Sequence, residues 1–242
     1  MPSTYLITGS SRSLGLGYTR ELLEAGHRVV AAVRNPDKAE QLDSLKQRHG
    51  DKLYLVKCDV TDVQSTKDAA ETLEKSGFLS EGGLDAVLAN AGVLGGGWNK
   101  SSEFSEEDLS YNLKTNLYGV INTVNAFLPL LKKGQGKQIF VTSSVLGSIG
   151  GPYGGMPAAS AYAISKAAVN MYTVKLATEL ADEGFTVVPF HPGYVKTDMN
   201  SDGGGELEPE EACRLATKNV FLAATKKDNG RFMVYDGSEM PW

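Results

Sequence analysis

The fold is decided by the stretch Tyr5-Leu6-Ile7-Thr8-Gly9-Ser10-Ser11-Arg12-Ser13-Leu14-Gly15-Leu16-Gly17. The apolar run Thr4–Thr8 is typical of a buried strand, the glycine-rich loop 8–17 follows it, and apolar residues recur at helical spacing over residues 14–25. Small residues in such a loop let the backbone approach a pyrophosphate, to which a helix N-terminus presents free N–H groups and a positive dipole. The stretch therefore indicates a phosphate-binding strand–loop–helix unit, although glycine also occurs in ordinary turns.

The remaining chain repeats this alternation of short apolar runs and longer helical patterns. Six further strands are predicted, at Arg28–Val33, Leu53–Lys57, 84–89, Gln138–Thr142, Thr186–His191 and 231–235. Helical spacing of apolar residues also covers residues 63–73, 109–131 and 161–180. This alternation predicts an α/β fold with a parallel seven-stranded sheet covered by helices on both faces. With 41% hydrophobic residues, the chain 1–242 is expected to form one domain.

The composition narrows the class of partner. A net charge of −5 argues against nucleic-acid binding, which depends on clustered Lys and Arg, and favours a small molecule. The first residues carry no basic flank or long apolar run, so we expect a cytoplasmic protein without membrane association. Cys58, Cys213 and the three histidines have no metal-ligand spacing, so no metal site is expected.

The second predicted strand ends at Ala32-Val33-Arg34-Asn35, which lacks the acidic residue that bonds a ribose 2′-hydroxyl in NAD-dependent proteins. Arg34, together with Arg12 from the first loop, suits a 2′-phosphate instead. The pair favours NADP(H), the alternative being two ordinary solvated surface side chains. Asp59, after the third strand, is a candidate acceptor for an adenine amino group or a cap for the helix starting near Asp62.

Tyr162 and Lys166 lie four residues apart in a helical pattern, so their side chains emerge on one helix face. An unperturbed tyrosine has a pKa of about 10 and is a poor base at neutral pH. A neighbouring ammonium, reinforced by the cationic nicotinamide ring of an oxidised cofactor, favours the phenolate, so the sequence predicts a lowered pKa for Tyr162 and a role in proton transfer. The same spacing also occurs by chance on exposed helices.

Three further polar residues are candidates. Ser143 and Ser144 follow the strand Gln138–Thr142, where a hydroxyl is placed to bond a substrate oxygen, although serine pairs also form plain turns. Asn116 is a poor helix former at a position that looks buried, so it either makes a local hydrogen bond or has a functional role.

Taken together, these features resemble the short-chain dehydrogenase/reductase family over essentially the whole chain. The residues that carry the resemblance are the 8–17 loop, Asp59-Val60, Asn90-Ala91-Gly92, Asn116, Ser144, Tyr162 with Lys166, and Pro192-Gly193-Tyr194-Val195-Lys196-Thr197. The resemblance implies a doubly wound Rossmann fold and an NADP(H)-dependent oxidoreductase. Such an enzyme reduces a ketone, aldehyde or quinone-like carbonyl to an alcohol.

The resemblance also implies roles. Tyr162 would exchange the proton as general acid, Lys166 would hold the nicotinamide ribose and lower the tyrosine pKa, Ser144 would orient the carbonyl, and Asn116 would anchor a water. Cofactor contacts would come from the first loop, the strand ends and the last motif: Gly9, Ser11, Arg12, Ser13, Leu14, Arg34, Asp59, Val60, Asn90, Ala91, Gly92, Tyr162, Lys166, Pro192, Gly193, Val195 and Thr197.

Within the family, the sequence looks most like small NADPH-dependent carbonyl reductases and fungal-type ketoreductases, and it departs from the family pattern at two places. Ser13 stands where the family has its middle loop glycine, and residues 150–157 lengthen the connection between Ser144 and Tyr162. The lengthened connection is expected to border the substrate, and the full set of expected lining segments is 93–98, 145–157 and 194–205.

Two further expectations concern class and assembly. A non-catalytic NADP(H)-binding regulatory or scaffold protein is the alternative, although such relatives usually lose the tyrosine or lysine. The predicted helices 109–131 and 161–180 carry more apolar surface than one sheet face needs, so a homodimer or homotetramer is expected.

Overall fold

The computed structural model describes residues 2–79, 82–199 and 204–242. One parallel sheet runs through it in the order β3-β2-β1-β4-β5-β6-β7. Its strands are β1 (Thr4–Thr8), β2 (Arg28–Val33), β3 (Leu53–Lys57), β4 (Ala86–Ala89), β5 (Gln138–Thr142), β6 (Thr186–His191) and β7 (Met233–Val234). The helices are α1 (Ser13–Glu24), α2 (Glu40–His49), α3 (Val63–Lys75), α4 (Glu106–Leu113), α5 (Gly119–Lys133), α6 (Ser160–Glu179) and α7 (Pro209–Ala216).

Helices cover both faces of the sheet, as the alternating pattern predicts. One buried cluster joins the sheet to Leu73 of α3, Phe127 of α5 and Val169 of α6. The other joins it to Leu22 of α1 and to residues of α2 and α7. The doubly wound α/β fold with seven parallel strands is therefore confirmed. The described residues contain no helix long and apolar enough to cross a membrane.

The strand order reverses between β1 and β4. From β1 the chain builds outward through β2 and β3, then returns to place β4 on the other side of β1. Connections leave the carboxyl ends of β1 and β4 in opposite directions, which opens a crevice there, the usual ligand position in sheets of this type. The fold thus gathers the loops after β1, β4, β5 and β6 at one edge.

Five of the seven strands have the bounds that the sequence predicts, and two are shorter. β4 begins at Ala86 because the Leu84 amide donates to the Leu130 carbonyl of α5, 3.0 Å away, instead of to a neighbouring strand. β7 is confined to Met233–Val234 because the chain then turns back, with the Met240 amide bonded to the Phe232 carbonyl at 2.8 Å.

The single helix expected over residues 109–131 is interrupted. A π-helical turn at Lys114–Tyr118 separates α4 from α5, and in it the Gly119 amide donates to the Lys114 carbonyl, five residues back. Asn116 lies at its centre and is buried. π-helical turns inside α-helices are frequent at functional sites, and this one faces the crevice loops.

Candidate active site

The glycine-rich loop after β1 has the shape that a phosphate group needs. Gly9 has a φ of +70°, and a Cβ on Gly15 would lie 2.3 Å from the Gly9 carbonyl oxygen, so both positions exclude a side chain. Arg12 is the N-cap of α1, yet its side chain makes no capping hydrogen bond. The amino end of α1 therefore carries N–H groups that no N-cap side chain covers, as anion binding requires.

Ser13 occupies the loop position where the sequence departs from the family pattern. Its φ is +50°, in the left-handed region that glycine adopts without penalty. The loop therefore keeps the backbone shape of a glycine at this position, and Ser13 adds a hydroxyl at the first residue of α1.

Hydrogen bonds around Thr8 connect the ends of β1 and β4 at the crevice. Its Oγ1 accepts from the amides of Asn90 and Ala91, at 3.0 and 3.1 Å, and the Asn90 side chain donates to the Thr8 carbonyl at 3.0 Å. Thr142 Oγ1 of β5 donates to Asn90 Oδ1 at 3.4 Å. These bonds join the ends of β1, β4 and β5 across the point where the strand order reverses.

Arg34 and Asp59 lie near each other at the ends of β2 and β3. Burial raises the pKa of Asp59, but hydrogen bonds from Thr61 and the charges of Arg34 and Lys114 outweigh it, so the net shift is downward. The helix cap after β3 is Asp62, which accepts from two amides. Capping by Asp59, one of its two sequence interpretations, is therefore wrong.

Arg12 reaches across the groove to the loop after β6, where its Nη1 lies 3.1 Å from the Asp198 carboxylate. Their side chains are 71% and 72% exposed, so the ion pair contributes little to stability and leaves the guanidinium open to a competing anion. The sequence analysis did not predict this partner, since Asp198 is 186 residues away.

The loop after β6 is held in place by backbone contacts. Gly193 has a φ of +95°, and a Cβ there would lie 2.6 Å from Leu207. Val195 forms a parallel bridge with Leu207 and is buried, as is Pro192. This places the candidate residues Pro192, Gly193, Val195 and Thr197 beside the carboxyl end of β6. Of the segment 194–205, residues 200–203 lie outside the described residues.

Asn116 is held by three hydrogen bonds. Its Oδ1 accepts from the Val93 amide at 2.9 Å, and its Nδ2 donates to the Val93 carbonyl at 3.0 Å and to Ser165 Oγ at 2.9 Å. A Cβ on Gly92 would lie 3.4 Å from Asn116 Oδ1 and 3.7 Å from Lys166 Nζ. Asn116 and Lys166 therefore both lie beside Gly92, in the loop after β4.

The two serines after β5 have different environments. Ser143 Oγ donates to Asn170 Oδ1 at 2.5 Å, and the residue is 1% exposed. Ser144 begins a short 3-10 turn, Val145–Gly147, and is hydrogen-bonded with the Tyr162 phenol. Ser144 is therefore the serine next to Tyr162, in agreement with the choice of Ser144 over Ser143.

Tyr162 and Lys166 are buried side by side on α6, at 8% and 3% exposure. The Lys166 Nζ lies 5.6 Å from the centre of the Tyr162 ring and donates to the Thr142 carbonyl at 2.8 Å. Burial lowers the pKa of Lys166 to about 8. The lysine is thus held by the end of β5, while its helix presents the phenol to Ser144.

The pKa of Tyr162 differs from the sequence prediction. Burial raises it to about 12, although the hydrogen bond with Ser144 acts to lower it. The expected lowering by Lys166 fails because the ammonium bonds the Thr142 carbonyl and is itself destabilised by burial. The phenol is therefore protonated at neutral pH.

The structure brings the four candidate catalytic residues together where β4, β5 and α6 meet, and spreads the candidate cofactor residues along the crevice from β3 to β6. The sequence analysis missed Asn170, whose side chain holds Ser143. Its signal was available, because asparagine is as poor a helix former at residue 170 as at residue 116.

Comparison with known proteins identifies the family. Residues 3–206 match the family described as short chain dehydrogenase. The chain belongs to this family. It is 36% identical to a short chain dehydrogenase (gsfK) of Penicillium aethiopicum, with full coverage of both chains, and 34% identical to an oxidoreductase of Schizosaccharomyces pombe, covering 98% of this chain and 97% of that one.

Solved structures agree. The NADPH-bound carbonyl reductase from chicken fatty liver matches with a TM-score of 0.89 and 31% identity, and the carbonyl reductase Sniffer of Drosophila melanogaster with 0.89 and 28%. Each match covers 100% of both chains. The short-chain dehydrogenase described here is thus an oxidoreductase with a Rossmann fold, as the sequence resemblance implied.

The backbone at Ser13 gives a stability prediction. Ser13→Gly removes a left-handed penalty of about 1–2 kcal/mol, partly offset by the extra entropy of glycine in the unfolded chain, so it should leave the free energy of unfolding equal or slightly raised. Ser13→Val should lower it by at least about 1 kcal/mol, because a β-branched residue tolerates positive φ poorly. Urea denaturation measures both, and a valine variant as stable as the glycine variant would contradict the assignment.

Proposed function

We propose that this short-chain dehydrogenase is an NADPH-dependent reductase of ketones, aldehydes or quinone-like carbonyls, with Tyr162 as general acid. The observation that carries the proposal is the buried Tyr162 phenol, hydrogen-bonded with Ser144 and placed four residues before a buried lysine. A proton donor, a second hydroxyl and an ammonium thus converge at the carboxyl ends of β4 and β5.

The crevice residues fit NADP(H). The loop from Gly9 to Leu14 keeps its backbone open at Gly9, and the helix that follows has an N-terminus without a side-chain cap, so both suit the pyrophosphate. Arg12 and Arg34 would hold the 2′-phosphate, and Asp59 with Val60 the adenine. The residues after β4 (Asn90, Ala91, Gly92) and after β6 (Pro192, Gly193, Val195, Thr197) would line the ribose and nicotinamide. NADPH or NADP is bound in related structures from chicken and Burkholderia multivorans, which supports this cofactor.

When bound, NADPH supplies the hydride, and the protein's own residues bind and protonate the carbonyl oxygen. Ser144 and Tyr162 would donate hydrogen bonds to that oxygen, and Tyr162 would transfer its proton as negative charge develops there. A donor must be protonated before the reaction, and burial keeps the Tyr162 phenol in that form. Lys166 would hold the nicotinamide ribose through its ammonium group.

The walls beside Tyr162 indicate the kind of carbonyl compound. No charged side chain occurs from residue 86 to 99 or from residue 138 to 165, which are the segments containing the loops after β4 and β5. Both loops are anchored at α6, since the Ser160 amide donates to the Asn99 carbonyl at 3.3 Å. They expose Trp98, Ile149 and Tyr153. We infer an uncharged, largely apolar substrate, because a carboxylate or phosphate would find no counter-charge there.

A homodimer or homotetramer remains part of the proposal. Four large apolar side chains are exposed on α4, the π-helical turn and α6, namely Tyr111, Tyr118, Ile164 and Met171. α4 packs beside α6, so these side chains lie on neighbouring elements and suit a self-complementary contact. A monomer in sedimentation velocity would contradict this assembly.

Tyr162→Phe tests the proposed function. Loss of a positioned general acid should lower kcat for carbonyl reduction by about 10²–10⁴, while the Kd for NADPH by calorimetry stays within about tenfold, since no more than a single hydrogen bond is lost. The matched control is Tyr172→Phe on the same helix, which should keep wild-type kcat. Equal rates for Tyr162→Phe and wild type across a carbonyl panel would exclude the mechanism.

Arg34→Asp tests the cofactor preference. The wild type should bind NADPH more tightly than NADH, and the variant should lose at least about tenfold of that preference, because a charge-assisted bond to phosphate contributes about 1.5–3 kcal/mol. Arg48→Asp on α2 makes the same change in net charge and should keep the preference. Calorimetry showing equal wild-type affinities for the two cofactors would refute the 2′-phosphate assignment.

The pKa of Lys166 predicts a pH dependence. In the free enzyme the ammonium is protonated below a pKa of about 8. If it holds the ribose, kcat/KM for NADPH should fall as pH rises through this value, since kcat/KM reports the ionisations of the free enzyme. Lys166→Arg should remove that alkaline limb, and Lys175→Gln, exposed on the same helix, should retain it. A limb that stays in the arginine variant would assign the titration elsewhere.

The lowered pKa of Lys166 also determines how the free energy of unfolding changes with pH. The pKa of Lys166 is lowered from 10.5 in a solvated chain to about 8 in the folded protein. Between these values the unfolded state binds more protons, so this group makes the folded state more stable as pH rises across that window. The buried ammonium therefore costs stability at neutral pH.

A further inference from the structure

Asn170 shares a face of α6 with the two residues at the centre of the site. Tyr162, Lys166 and Asn170 follow at intervals of four residues, so their side chains lie one above another along the helix. Asn170 is 3% exposed. A buried amide must satisfy both its oxygen and its nitrogen, so its partners show what the position requires.

Both partners of Asn170 belong to the segment that carries Ser144. Its Oδ1 accepts from Ser143 Oγ at 2.5 Å, and its Nδ2 donates to the Gly147 carbonyl at 3.1 Å. Ser143 directly precedes Ser144, and Gly147 ends the 3-10 turn that Ser144 begins. A single side chain therefore bonds the hydroxyl of the residue before Ser144 and the backbone carbonyl at the end of the following turn.

The turn is also pressed directly onto α6. A Cβ on Gly147 would lie 2.7 Å from the carbonyl carbon of Lys166 and 2.8 Å from its Cβ, so no side chain fits between them. On the other side, the Ser143 amide donates to the Phe190 carbonyl of β6 at 2.8 Å. Ser144 thus lies between a fixed strand end and a fixed helix, and Asn170 is the polar link between them.

Thr173, a neighbouring buried residue, has its hydrogen-bonding group satisfied within its own helix. Thr173 is fully buried on α6, and its Oγ1 donates to the Val169 carbonyl of the same helix at 2.7 Å. Such a bond satisfies the hydroxyl without reaching another element. Asn170 differs because neither of its partners is in α6.

We propose that Asn170 is a positioning residue that sets the Ser144 hydroxyl against the Tyr162 phenol. The proposal rests on the proposed function, in which both hydroxyls bond the carbonyl oxygen of the substrate. Asn170 touches neither substrate nor cofactor; it acts through Ser144 by fixing residues 143 and 147.

The test is a double-mutant cycle between Asn170→Leu and Ser144→Ala. Leucine keeps the volume but removes both bonds, so kcat for carbonyl reduction should fall at least about tenfold, or about 1.4 kcal/mol, with the Kd for NADPH unchanged. In the Ser144→Ala background the same substitution should change kcat less than about twofold, because the group it positions is absent. Thr173→Val is the matched control and should keep wild-type kcat.

A second measurement needs no turnover. The amides of Leu146 and Gly147 donate to the Ser144 Oγ and carbonyl, at 3.2 and 2.9 Å. Their hydrogen exchange should be faster in Asn170→Leu and unchanged in Thr173→Val. If no carbonyl is reduced by the wild type, the proposed function fails, and the exchange result still decides whether Asn170 fixes the turn.

Unchanged exchange, unchanged kcat, or an equal loss of kcat in both backgrounds would each overturn the proposal. If Asn170→Leu does not fold, Ser143→Ala removes one of the two bonds and leaves the amide in place. Ser143→Ala should lower kcat by about threefold in the wild-type background and have no effect in the Ser144→Ala background. A loss of the same size in both backgrounds would overturn the proposal.

Discussion

The site depends on keeping the Lys166 ammonium inside the protein. An unpaired buried charge is costly, so the surrounding structure must both satisfy it and leave room for it. The Thr142 carbonyl at the end of β5 accepts from it at 2.8 Å, and Gly92 after β4 leaves the space beside it open. A Cβ at position 92 would lie in van der Waals contact with both, 3.4 Å from Asn116 Oδ1 and 3.7 Å from Lys166 Nζ. The buried cation thus contacts the end of β5 and lies beside the loop after β4.

The same junction explains the polar network around it. Asn90 joins the ends of β1, β4 and β5, Asn116 holds the loop after β4, and Asn170 holds the turn after β5. Each asparagine uses one donor group and one acceptor group to join segments from different parts of the chain. Asn116 and Asn170 thereby join the loops after β4 and β5 to α6, which carries Tyr162.

Much of this could be predicted from the sequence, because alternating apolar runs and the loop after β1 are local features. The bounds of β1, β2, β3, β5 and β6 follow from residue type alone. The π-helical turn could not be predicted, since a helix with one extra residue in a turn keeps nearly the same apolar spacing. Nor could the Arg12–Asp198 pair, because nothing local to either residue indicates the other. The prediction of a lowered pKa for Tyr162 was wrong for a different reason. The spacing of residues shows which charges are neighbours, whereas the depth of burial, which raises this pKa, depends on the assembled fold.

The raised pKa of Tyr162 bears on the direction of the reaction. Oxidation of an alcohol needs a base, and a phenol with a pKa of about 12 supplies almost no phenolate at neutral pH. Reduction needs an acid, and the same phenol is then fully protonated. Lys166, with a pKa of about 8, is mostly charged at neutral pH, but its ammonium bonds the Thr142 carbonyl and does not lower the pKa of the phenol. The phenol of the resting site is therefore protonated, as the proposed reduction of a carbonyl requires.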